Sequence, residues 1–126
     1  MSVANPYQQY QQNAVQSAEP GELVVMLYDG LVRFLKLAVK SLEENDKEAA
    51  NTALIKSQDI VGYLNETLDR RFEISSNLAS LYNFMSRQLV SANIKKEIKL
   101  VEEVLGLAQE LRDTWRQASQ LAKTQG

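Results

Sequence analysis

The chain has no cysteine and no histidine. Disulfides, thiolate catalysis and Cys/His zinc sites are excluded. Also excluded are a histidine general base, a Glu-x-x-His di-iron bundle and histidine phosphotransfer. Proline occurs only as Pro6 and Pro20, so none interrupts a helix further on. The five glycines are scattered, and no Gly-Lys-Ser/Thr forms a phosphate loop. Positive charge is short as well: the net charge is −2 and the pI about 5.2, which argues against binding nucleic acid through its phosphates. The first 19 residues hold no Lys or Arg, so they lack the basic start of a secretory signal. The longest apolar run, LVVMLY at 23–28, is far shorter than a membrane span. These absences lead to the expectation of a cytoplasmic, non-enzymatic protein with no cofactor, no metal, no nucleic-acid partner and no membrane insertion.

What is present is helical periodicity. The 126 residues are 44% apolar and 24% charged, enough for one domain with its own core. Pro20 suits a first helical position, and Glu22 lies where the helix dipole favours an anion. Leu23, Leu27, Leu31, Phe34, Ala38 and Leu42 then form one face. The patch Glu43-Glu44-Asn45-Asp46 ends this helix and supplies Asn45 or Asp46 as the next N-cap. A second helix carries Ala50, Ala53, Ser57, Ile60, Leu64 and Leu68, and Asp69-Arg70-Arg71 interrupts it. A third takes Ile74, Leu78, Leu81, Met85, Leu89 and Ala92 on one side.

Continuing that third stripe would bury Lys96, Lys99 and Glu103. The next series, Ile94, Ile98, Val101, Leu105, Ala108 and Trp115, is offset by roughly 200° around the cylinder. The chain is therefore expected to turn near Asn93, with Asn93 as the N-cap of a fourth helix. Lys95, Lys96 and Lys99 would then form a basic cluster at that helix start. The reading is all-α: an antiparallel four-helix bundle over 19–126, with helices near 20–44, 46–69, 74–92 and 94–121. Residues 1–18 are read as a mobile N-terminal arm.

Apolar residues exceed what one buried stripe per helix requires. Leu100, Val104, Leu107 and Leu111 make a second stripe on helix four. Helix three adds Tyr82 and Phe84 off its main stripe, and helix two adds Ile55, Val61 and Tyr63. Drawn from helices two to four, Ile55, Val61, Leu64, Leu68, Leu78, Tyr82, Leu100, Val104, Leu107 and Leu111 are candidates for a groove that accepts an amphipathic partner, with a wide core face as the alternative. Tyr7 and Tyr10, three apart in a glutamine-rich segment, could lie across such a groove as a lid.

Taken in order, NPYQQYQQN, PGELVVMLYDG, NLASLYNFMSRQLVSANI and LRDTW resemble the FliS family of flagellin-specific export chaperones. The resemblance runs from about residue 5 to Trp115. It implies a four-helix bundle that binds the disordered C-terminal segment of flagellin in the cytoplasm. It also implies prevention of premature polymerisation and help in delivery to the flagellar type III export gate, with no cofactor. Tyr7 and Tyr10 match the family's N-terminal aromatic motif, which implies client binding or a lid. Family members have Ser or Thr before the PGEL proline; here Glu19 stands there and Glu22 lacks its reciprocal capping partner. Two other readings stay open: a weak homodimer sealed by the surplus apolar stripes, and a small regulatory adaptor that sequesters an export or transcription factor, for which the resemblance implies other flagellar regulators as partners.

Overall fold

The computed structural model describes the backbone of residues 20–125 and the side chains of 21–122. Every regular element there is a helix: α1 Pro20–Glu43, α2 Lys47–Glu66, α3 Ile74–Lys95 and α4 Ile98–Gln125. Consecutive helices pack side by side and α1 also packs on α4, which closes the ring of a bundle. Helices α1 and α3 are thus diagonal, as are α2 and α4. Cross-helix hydrogen bonds show that neighbours run antiparallel: Asn51 meets Asn93 and Asn65 meets Asn83 between α2 and α3. Asp29 of α1 meets Arg116 of α4.

The periodic residues fill the core. Leu27, Leu31, Leu35 and Ala38 come from α1, Ala53, Leu54, Ile60 and Leu64 from α2, Met85, Leu89 and Ala92 from α3, and Val101, Val104 and Ala108 from α4. Each fully buried Leu-sized side chain contributes roughly 1.5–3 kcal/mol. Ser57 is buried among them, and its hydroxyl donates to the Ala53 carbonyl at 2.9 Å. That bond satisfies a group which would otherwise be costly to bury.

The α1–α2 turn follows from its sequence. Asn45 adopts the left-handed region at φ 59, a conformation asparagine tolerates. The Asn45 amide donates to the Leu42 carbonyl and the Asp46 amide to the Ser41 carbonyl, the paired bonds of a Schellman ending. Asp46 then caps α2 by accepting from the Ala49 amide at 3.1 Å. Of the two expected caps, Asp46 is the one used.

The α3–α4 turn corrects the sequence reading. Asn93 is not an N-cap; it lies inside α3, which continues to Lys95, and α4 starts at Ile98 rather than 94. Ile94, counted as the first core residue of the fourth helix, is 78% exposed on α3. The stop falls at Lys96, where the α3 stripe would next have placed a cation inside. Lys96 takes φ 52, and the Glu97 amide donates back to the Ala92 carbonyl. The Lys96 ammonium bonds the Asn93 carbonyl at 2.6 Å and its side-chain oxygen at 2.7 Å. Lys95 and Lys96 therefore stand at a helix C-terminus, where the dipole favours cations, and not at a helix start. The second helix also ends earlier than expected: Thr67 caps it, and residues 67–73 form a connection in which Asp69 accepts from the Arg71 amide and pairs with its guanidinium.

Candidate functional site: an apolar seam between the last two helices

Of the ten groove candidates, the structure removes four. Val61, Leu64, Tyr82 and Val104 are core residues with no face to offer a partner. Spacing cannot distinguish a groove from the centre of a wide core face, and these four belong to the core. Ile55 is exposed on α2, the helix diagonal to α4, and stands apart from the rest. Leu68 lies in the α2–α3 connection, half-buried against the core.

The remaining four, Leu78, Leu100, Leu107 and Leu111, are half-buried at the rim of the core on α3 and α4. Their register is set by one bond: the Gln88 amide of α3 donates to the Glu103 carboxylate of α4 at 2.8 Å. Residues 81, 84 and 88 follow one another at steps of three and four along that side of α3. Residues 100, 103, 107 and 111 do the same along α4. In that antiparallel register Phe84 and Leu81 face the seam opposite Leu107 and Leu111, while Leu100 lies farther along, nearer the α3–α4 turn. Phe84, 40% exposed, and the half-buried Leu81 complete an apolar strip that the candidate set lacked. The signal for Phe84 was its place off the main α3 stripe, beside a second stripe on α4.

Helices α3 and α4 make the least extensive contact of the four neighbouring pairs. Length contributes to this. At 28 residues α4 outruns the 22 of α3, and Ser119 in its last turns packs close against Gly21 at the start of α1. The seam therefore presents a shallow strip of partly exposed apolar side chains. Val104 and Tyr82, on the same two helices, are buried in the core.

The core also holds a polar contact. The hydroxyls of Tyr28 and Tyr82 meet at 2.5 Å, both side chains buried. Burial pushes both phenols above the usual tyrosine range, and for Tyr28 the bond to Tyr82 adds to the shift while Trp115 opposes it. Neither is placed for proton transfer with solvent. On the surface of the α1–α4 seam, Asp29 pairs with Arg116 at 3.1 Å and lies 3.8 Å from Arg112. Among the described residues no group of acidic side chains is arranged to hold a metal ion, and no helix is long and apolar enough to cross a membrane. Tyr7 and Tyr10 lie outside the described residues.

A family model described as flagellar protein FliS matches residues 3–122. The chain belongs to the FliS family. A FliS flagellar secretion chaperone of Bacillus subtilis is 46% identical over 120 residues, covering 95% of this chain and 90% of that protein. The FliS secretion chaperone of Salmonella typhimurium is 38% identical over 117 residues, covering 90% and 87%. In fold, the chain resembles a bacterial flagellar chaperone solved by crystallography, with a TM-score of 0.76 at 21% identity over 90% of this chain and 94% of that one. Membership in FliS places the protein in a chaperone family, which is not an enzyme class, and the crystallographic likeness agrees with the four-helix arrangement.

Proposed function

We propose that this protein is a flagellar secretion chaperone acting in the cytoplasm, and that it holds the disordered C-terminal segment of flagellin until export. Held in this way, the segment cannot nucleate filaments, and the complex is delivered to the flagellar export gate. The observation that carries this reading is the open α3–α4 seam, where Leu81, Phe84, Leu100, Leu107 and Leu111 are left partly exposed in a member of a secretion-chaperone family.

The energetics suit a segment that folds as it binds. Ordering such a segment costs about 2–5 kcal/mol or more of the gross contact energy. Several Leu-sized anchors, each contributing up to roughly 1.5–3 kcal/mol when fully covered, offset that cost without any nucleotide. Because the seam is shallow, the client contributes part of the burial itself, as an amphipathic helix does in a groove. Tyr7 and Tyr10 are proposed to cover apolar surface when no client is present.

Calorimetric titration with a synthetic peptide of about 40 C-terminal flagellin residues tests the reading. One-to-one submicromolar binding with a clearly negative heat-capacity change is expected. No heat at several temperatures, from a folded sample whose mass rises with concentration, would favour the homodimer instead. The Tyr7→Ala/Tyr10→Ala variant separates roles for the arm: tighter binding marks a competing lid and weaker binding a direct contact. Unchanged affinity together with unchanged self-association would remove the arm from the mechanism.

A further inference from the structure

The outward face of α1 has a charge pattern that neither the core nor the seam uses. Arg33, Lys36, Leu37 and Lys40 are all exposed, and Leu37 retains 47% of its surface. Their spacing of three and four places them together, three cations around one leucine. Like charges at these spacings weaken a helix. The Arg33, Lys36 and Lys40 side chains make no ion pair or hydrogen bond among the described residues. Asp29, a turn before them, is engaged by Arg116 and Arg112 of α4, and Glu43 and Glu44, a turn after Lys40, stand exposed at the helix end and make no ion pair with it. Beside this face, on α2, the Lys56 ammonium stands 5.7 Å from the centre of the half-buried Phe34 ring, and the exposed Asp59 follows one turn on. Two turns along the same side of α2, Tyr63 adds a partly exposed aromatic edge.

We propose that this α1 face is a second docking surface, whose occupant is an acidic amphipathic helix of a partner protein. The whole chain carries −2, so the local excess of cations opposes the molecule's own sign and attracts an acidic surface selectively. The chain's N-terminal segment cannot supply the countercharge, because residues 1–18 contain no Asp or Glu. A bare polyanion would engage the cations and leave Leu37 in water. A helix with an apolar stripe flanked by carboxylates engages both, covering Leu37 while each carboxylate meets a cation at the rim. Because α1 is diagonal to α3, its outward face points away from α3 and the seam's α3 wall. A client on the seam and a partner on α1 can therefore be held together, which suits a carrier that must be recognised while loaded.

The test uses the full chain and a fluorescent synthetic helix with leucines at i, i+3, i+4 and i+7 flanked by glutamates. A scrambled peptide of the same composition, phosphatidylglycerol vesicles and a DNA duplex serve as competing probes. The ordered peptide should bind with an affinity that falls as salt rises. It should bind at least about tenfold more weakly to Lys36→Glu/Lys40→Glu and several-fold more weakly to Leu37→Ser. Both variants should keep the helical circular dichroism of the parent, since the substituted residues are exposed, and should bind the flagellin peptide unchanged. Equal binding of the scrambled peptide, preference for vesicles or DNA, or indifference to both variants would overturn the proposal. The flagellin titration reads the seam separately, so either surface can fail without the other.

Discussion

Tyr28 and Tyr82 stand on diagonally opposed helices, and their hydroxyl oxygens meet 2.5 Å apart inside the core. The bond ties α1 to α3, a pair that shares no extensive packing. Deleting one hydroxyl leaves the other buried without this partner, at a cost of about 1–3 kcal/mol. Tyr28→Phe and Tyr82→Phe should each destabilise by an amount in that range. The double variant should cost clearly less than the sum, with a coupling of about 1 kcal/mol. Urea unfolding of the four proteins measures this, and simple additivity would show that the contact contributes little.

The same pair sets an alkaline limit. Burial raises both phenols above the value of 10.0 at which unfolded tyrosines ionise. Above pH 10 the folded state retains protons that the unfolded state has lost, so stability falls as pH rises. Each such group contributes up to about 1.4 kcal/mol per pH unit. Urea midpoints should hold steady at neutral pH and drop steeply from pH 10 upward, and Tyr28→Phe/Tyr82→Phe should flatten that drop. An identical slope in the double variant would place the alkaline sensitivity elsewhere.

The four-helix architecture was legible because the core stripes obey a period of 3.6 with few exceptions, and because Asn45 and Asp46 are chemically suited to the turn they make. The α3–α4 turn was misplaced for a physical reason. Phase reports that the buried side has changed but not at which residue, and Lys96 breaks the helix in a backbone region that glycine or asparagine usually marks. Asn93 looked like a cap because of its residue type. In the fold it ties α2 to the end of α3 through Asn51 and accepts the Lys96 ammonium. The site was half legible. Leu100, Leu107 and Leu111 were visible as a second stripe, but Val104, within that stripe, falls on the buried side of the same helix. Only the register fixed by Gln88 and Glu103 tells which leucines meet Phe84.

Lys96 offers a test of that turn. A side chain in the left-handed region costs about 1–2 kcal/mol relative to glycine. Its ammonium partly compensates by bonding Asn93 twice. Lys96→Ala keeps the strain and loses the bonds, whereas Lys96→Gly loses the bonds and relieves the strain. The glycine variant should be the more stable of the two by about 1 kcal/mol in thermal or urea unfolding. A less stable glycine variant would mean that Lys96 is not held in this conformation in solution.

Position on the seam, rather than hydrophobicity, should decide which apolar residues touch the client. Leu107 is half-buried on the rim and Val104, three residues earlier on the same helix, is fully buried. Leu107→Asp places a carboxylate where a client side chain would pack, with solvent still within its reach. It should weaken binding of the flagellin peptide by about tenfold or more while lowering folding stability only modestly, by about 1 kcal/mol. Val104→Ala removes core atoms and leaves a cavity, so it should cost about 2 kcal/mol of stability and leave affinity within about twofold at temperatures where the protein stays folded. Measured side by side, the two variants separate contact from scaffold. If affinity instead follows stability in both, the seam does not recognise the client, and the binding surface must lie elsewhere on the bundle.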